Sequence, residues 1–231
     1  MGFNKILLLA GFIFAQLTTV TYAKEPNPEW DALNKEVAEF YRAGKYDEAI
    51  VAAKKALEAA EKHADDTPTA VATSLLYLAQ LYHAQGKYAD AEPFYKRSLA
   101  ISEKTLGPDD LAVATIVSNL ADLYVAEGQY TIAEPLYKRA LAIFEKTLNP
   151  EHLDVAIMLN TLSGLYRKQG QYEQAIPLST RALAIAEKGM GPNHADVATI
   201  LENLVESYRA TGQEKEAEAA GQRAAAIREK K

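Results

Sequence analysis

A glycine recurs every 42 residues along most of this chain, at Gly44, Gly86, Gly128, Gly170 and Gly212. A fixed period of this length constrains the fold before local propensity does, because each copy must be one small unit that buries its apolar face only against its neighbours. The register extends well beyond the glycines. Tyrosine stands two positions after the first four of them, at Tyr46, Tyr88, Tyr130 and Tyr172. Ala49, Ala91, Ala133, Ala175 and Ala217 keep the same step, as do Leu57, Leu99, Leu141 and Leu183 until Ala225 replaces the leucine. The stretches AEPFYKRSLAISEKTL from Ala91 and AEPLYKRALAIFEKTL from Ala133 differ only at Phe94/Leu136, Ser98/Ala140 and Ser102/Phe144. Those differences are four apart, so on a helix they share one face. The remainder is identical, as expected of a structural back whose solvent face has little to discriminate.

Within a unit the apolar period is helical. Leu75, Leu78, Ala79 and Tyr82 lie at i, i+3, i+4 and i+7, and Val117, Leu120, Ala121 and Tyr124 repeat the pattern. The glycine then ends this first helix, since a left-handed terminal residue is cheapest without a side chain. A second helix follows, with small residues at Ala91 and Ser98 that let two helices approach closely. Pro108, Pro150 and Pro192, each preceded by Gly or Asn, mark the turn into the next unit. Five helical hairpins are expected. One local rule is broken: Pro93, Pro135 and Pro177 fall about five residues into each second helix, just past its first turn, where the missing N–H costs less than in a helix interior.

The pattern Leu75-x2-Leu78-Ala79-x2-Tyr82-x3-Gly86-x-Tyr88-x2-Ala91-x3-Tyr95-x2-Ser98-Leu99 resembles a tetratricopeptide repeat. The usual unit has 34 residues; the longer period here, with its EKTLGPDD type of connection, resembles the variety seen in kinesin light chain. The resemblance implies an all-α, right-handed superhelical solenoid of about five tetratricopeptide-type hairpins over residues 24–231, with glycine turns at 44, 86, 128, 170 and 212. It weakens at both ends. The first unit reads as one residue short before its glycine, in Phe40-Tyr41-Arg42-Ala43-Gly44, and the last replaces tyrosines with Glu214 and Gly221. Polar, atypical ends are expected where a terminal unit meets solvent, and Glu214 to Lys231 reads as a capping helix.

Residues 1–23 have the layout of a cleavable signal peptide. Lys5 precedes the apolar run Ile6 to Phe14, then Gln16, Thr18 and Thr19, then small residues at Thr21 and Ala23. The expected cut lies after Ala23, with a periplasmic or secreted product. An uncleaved anchor is the rival reading, but a span needs roughly 20 mainly apolar residues and this run fades sooner. Without Lys5, 24 basic side chains face 31 acidic ones, a net charge of about −7 that argues against a nucleic-acid partner. With zero cysteines, no disulfide, thiolate chemistry or cysteine zinc site is available.

No catalytic constellation emerges, and the chain is expected to be no enzyme and to carry no cofactor. Of four histidines only His152 and His194 are related, at equivalent turns one unit apart. A metal would want at least three converging ligands, so they read as solvated turn residues. AQGKY, from Ala84 to Tyr88, lacks the upstream glycine and following Ser or Thr of a phosphate loop. Serines lack an attendant histidine in any known motif. The pairs Asp65-Asp66 and Asp109-Asp110 fall in turns, where such residues usually cap helices.

What remains is surface. Thr73, Leu76, Gln80 and His83 lie on a polar flank of their helix, which the resemblance places on a concave groove where peptides or helices bind. Equivalent stretches supply Thr115, Ser118, Asn119, Asp122 and Val125; then Asn160, Thr161, Arg167 and Lys168; then Thr199, Glu202, Asn203, Glu206 and Arg209. Asn119, Asn160 and Asn203 can each offer a donor and an acceptor to a peptide backbone, or stand merely solvated. Arg167, Lys168 and Arg209 suit a carboxylate, unless Glu202 and Glu206 neutralise them. The lysine–asparagine pattern with which some relatives of the repeat clamp a C-terminal carboxylate is absent, its places holding Asn34, Ala38, Leu76 and Ser118. The expected function is an interaction scaffold with an unnamed protein or peptide partner. A self-associating scaffold, and hence a homo-oligomer, is the alternative, and an enzyme accessory subunit is the least favoured.

Overall fold

A computed structural model describes residues 28–64 and 67–230. The proposed leader and the Asp65-Asp66 pair lie outside them. Ten α-helices and no strand occur among the described residues: α1 (Pro28–Arg42), α2 (Tyr46–Glu61), α3 (Pro68–Ala84), α4 (Tyr88–Leu106), α5 (Leu111–Ala126), α6 (Tyr130–Thr147), α7 (Leu153–Lys168), α8 (Tyr172–Met190), α9 (Ala195–Ala210) and α10 (Glu214–Glu229). They are the ten members of the five expected hairpins. The chain forms two compact units that divide between Ile101 and Ser102, so α4 belongs partly to each.

In the first unit α2 packs on both α1 and α3. Val37, Ala49, Ala53, Leu78 and Leu81 form its core, with Phe40, Tyr46 and Phe94 packed around them. In the second unit α5–α6, α7–α8 and α9–α10 are the hairpins, joined by contacts of α6 with α7 and α8 with α9. Val155, Leu159, Ile185, Val197, Leu201 and Ile227 share one core there. In the second unit each hairpin leaves an apolar stripe that its neighbour covers, which is why the sequence repeats its pattern and not merely its composition.

The hairpin turns behave as the period requires. Gly86 has φ +73°, and the four other glycines of the series match it between +71° and +74°. Beyond Gly86, Lys87 N–H donates to Tyr82 C=O at 2.9 Å, closing the helix end. The same bond runs from Gln129 to Tyr124, Gln171 to Tyr166, Gln213 to Tyr208 and, in the first hairpin, from Lys45 to Phe40. This corrects the reading of the first unit as one residue short: Phe40, not Tyr41, occupies the tyrosine place, and the spacing to glycine is intact. Pro93, Pro135 and Pro177 sit inside α4, α6 and α8 as their sixth residues, close enough to the start that the helices continue through them.

The stripe on which α4 and α6 differ faces inward. Ser98 is buried with its hydroxyl donating to Ala72 C=O at 2.7 Å, its counterpart Ala140 is buried, and Phe94 stacks on Tyr82 with ring centroids 5.6 Å apart. The identical outer face carries repeated ion pairs. An arginine on each second helix from α4 onward pairs with a glutamate on the second helix one hairpin earlier. Arg97 meets Glu61 at 2.7 Å in the first unit; in the second, Arg139 meets Glu103 at 2.6 Å, Arg223 meets Glu187 at 2.5 Å, and Arg181 meets Glu145. Lys146–Asp109 and Lys188–Glu151 add a parallel row. The outer residues recur because each ion pair needs the same two side chains at the same step.

Candidate functional site

All nine residues expected to contact a partner lie in the second unit, on the first helices of its hairpins: Asn119 and Asp122 on α5; Asn160, Arg167 and Lys168 on α7; Glu202, Asn203, Glu206 and Arg209 on α9. Caps set where these helices start. The Asp110 carboxylate accepts from Ala112 N–H at 2.8 Å, as expected of an aspartate before a helix. His152 and His194 do the same for α7 and α9, each Nδ1 accepting from Asp154 or Asp196 N–H at 3.2 Å. They are helix caps and not simply solvated turn residues. Among the described residues no His, Cys, Asp and Glu group could hold a metal ion.

The asparagines are not three equivalent grips. Asn119 is only 7% exposed, and its buried Nδ2 has no hydrogen-bond partner among the described residues. Asn203 Nδ2 donates to Asn160 Oδ1 at 3.0 Å, so these two bond each other across adjacent first helices. The acids are also occupied. Asp122 accepts from the Tyr137 hydroxyl. Burial pushes the Asp122 carboxyl up to about 6, against the opposing pull of that hydrogen bond and of the Lys168 charge. Burial, then the Asp122 charge, pushes the Tyr137 phenol well above its ordinary value.

Glu206 pairs with Arg167 at 2.5 Å, as charge neutralisation required. Among the described residues Glu202 pairs with a cation other than Arg167 or Arg209. It accepts from Arg228 of α10, Nε to Oε1 at 3.1 Å and Nη2 to Oε2 at 3.2 Å, and Arg228 also donates to Thr199 Oγ1 at 2.8 Å. Lys168 and Arg209 are exposed, and among the described residues no ion pair holds either. In the first unit the corresponding flank is more apolar than its polar letters suggested. Leu76 is 3% exposed, and His83 packs edge-on against Tyr88 and Tyr95, burial lowering its pKa.

Three contributors escaped the sequence reading. Arg228 stands where the register otherwise holds Ala60, Ser102, Phe144 and Ala186, and that break in pattern was the available signal. Tyr137, which the sequence does not single out, places its hydroxyl on Asp122. Gly164, mid-helix in α7, occupies the place of Asp122 and Glu206. Taken together, the surface offers hydrogen-bonding and charged groups on successive first helices.

The tetratricopeptide repeat model matches residues 31–104, 70–146, 113–188 and 154–230. Among solved structures, BtubC (BKLC) from P. vanneervenii is 26% identical, with 96% of this chain and 89% of that one covered and a TM-score of 0.81. The nearly identical TPR-like repeats of a kinesin light chain from Podospora anserina are 25% identical, covering 90% and 98%, with a TM-score of 0.76. MamA, at 21% identity over 84% and 95% and a TM-score of 0.61, shares the fold. Among curated proteins none matches the chain.

Proposed function

The chain belongs to the tetratricopeptide repeat family of protein–protein interaction modules, and we propose that it is a non-catalytic scaffold whose second unit binds a segment of another protein across α5, α7 and α9. Its place of action on this reading is the periplasm or the extracellular space, after removal of residues 1–23, on the strength of Lys5, the apolar run and the small residues before the cut.

The carrying observation is the contrast between the two faces. The outer faces of α4 and α6 repeat the same side chains and tie them to one another along the chain. The first-helix face changes at every step, with Leu76, Ser118, Asn160 and Glu202 at one register position, and keeps Lys168 and Arg209 exposed without an ion pair among the described residues. A surface that reads several residues of a partner needs different side chains at successive steps; a surface that holds copies together needs the same ones.

Crosslinking capture from the native envelope fraction tests this with two double variants of equal charge change. Lys168→Glu with Arg209→Glu should abolish capture of a defined partner, and Lys96→Glu with Lys138→Glu should leave it, both with unchanged helical circular dichroism. The opposite pattern would move recognition to the second helices. Capture of the chain alone, with a molar mass that rises with concentration, would favour the self-associating scaffold.

A further inference from the structure

The second unit has two seams between successive hairpins, one where α7 and α8 follow α5 and α6, the other where α9 and α10 follow α7 and α8. On the second-helix side both are strapped alike, Arg181 to Glu145 across the first and Arg223 to Glu187 across the second. On the first-helix side they differ. The second seam is tied twice, by Arg167 to Glu206 at 2.5 Å and by Asn203 to Asn160 at 3.0 Å, and α7 touches α9 directly.

One unit earlier the same four places hold Val125, Gly164, Ser118 and Thr161. Val125 and Gly164 have no side-chain hydrogen-bonding group. The two hydroxyls turn back onto their own helices, Ser118 to Thr115 C=O at 3.0 Å and Thr161 to Ile157 C=O at 2.9 Å. Asp122, the other polar group at this point of α5, is bonded to Tyr137 inside its own hairpin. Other interactions lie nearby. Tyr166 donates to Glu134 at 3.0 Å and Lys138 Nζ stands 5.9 Å from the centre of the Tyr166 ring, both joining α7 to α6 and not to α5, and Lys168 attracts Asp122 without an ion pair.

Gly164 sharpens the contrast. Glycine in a helix interior is less favourable than alanine, yet a Cβ at this position would meet only Arg167 Nη2, at an ordinary 3.8 Å. Neither packing nor a left-handed backbone requires it. Its effect is to leave the front of the first seam without the side chain that closes the second.

We infer that the first seam is a hinge: α5 and α7 open and close about the strap on the second-helix side, while α7 and α9, tied on both sides, move as one block. A chain bound across the three helices would then meet a face of fixed width over α7–α9 and adjustable width over α5–α7. The hinge is a property of the free protein and stands whether or not that face is the binding surface.

The test is a pair of distance distributions measured by spin labels in the full chain, which has no native cysteine. Ala126, Lys168 and Ala210 are exposed, one unit apart, at the C-terminal ends of α5, α7 and α9. The distribution for Ala126→Cys with Lys168→Cys should be about twice as broad as that for Lys168→Cys with Ala210→Cys, as hinge motion at one seam requires. Installing the missing tie by Val125→Arg with Gly164→Glu should narrow the first, and removing a tie by Arg167→Val should broaden the second. Equal widths in the label-only chains would overturn the inference. Should the installed tie prevent folding, the label-only comparison and Arg167→Val decide it unaided.

Discussion

Replacing Asp122 by asparagine should stabilise the protein at neutral and alkaline pH and do nothing in acid. In the fold the Asp122 carboxyl binds its proton up to about 6, chiefly because burial disfavours the charged form, whereas the unfolded group releases it near 3.8. Between those values the native state holds more protons than the unfolded one. The contribution of this group to stability is therefore fully present below 3.8 and lost as pH rises through 6. The gap between the two values corresponds to roughly 3 kcal/mol; because the side chain is partly exposed and Lys168 loses an attraction, about 1–3 kcal/mol is expected. Asparagine keeps an oxygen acceptor for the Tyr137 hydroxyl, so the hydrogen bond survives while the charge goes. Urea unfolding of both chains at several pH values isolates the effect, since every other titrating group, Glu134 and its Lys138 partner included, is common to the two. The variant should lead by that amount near pH ~8 and converge with the parent near pH ~3.5. A gap independent of pH, or no gain above pH ~6, would show that Asp122 is well solvated and that the reasoning fails.

Leu120 is 4% exposed between helices, so Leu120→Ala should cost about 2–5 kcal/mol in the same titration. Lys96→Ala, on the exposed outer face, should stay within about 0.5 kcal/mol. Gly164→Ala should gain about 0.5–1 kcal/mol, because its Cβ meets nothing closer than 3.8 Å; a loss would mean that the seam needs the bare backbone. Arg139 and Glu103 are each about a third exposed, so a double-mutant cycle to alanine should give a coupling of at most about 1 kcal/mol that shrinks as salt is raised. If the export proposal is right, intact mass of protein from the native envelope should start at Lys24, and Met1 retained in a membrane pellet would reject it.

Among the described residues no helix is long and apolar enough to cross a membrane. Helix type, hairpin count and turn positions were all legible because they follow from local chemistry. The 3.6-residue spacing of Val117, Leu120, Ala121 and Tyr124 acts within one helix, and Gly86 reaches its left-handed φ whatever surrounds it. The exception is Phe40 in the tyrosine place, because the adjacent Tyr41 carries the repeat's usual letter one residue nearer the glycine.

Partner choice among polar side chains was another matter. Asn160 finds Asn203, Arg167 finds Glu206 and Glu202 finds Arg228 from helices far apart in the sequence, and Asn119, written in the same letter as the other two, ends buried. Even the outer ladder, although its residues recur visibly, could not be told from solvated charge until the second helices lay side by side. By itself, then, the sequence determined the repeat, the helices and the faces that must be buried, since each depends on residues a few positions apart. The tertiary structure decided which polar groups neutralise one another and which, like Lys168 and Arg209, stay exposed outside any ion pair among the described residues. Hydrogen bonds and ion pairs reach only about 3–4 Å, so their pairing depends on helix separations that periodicity alone leaves undetermined.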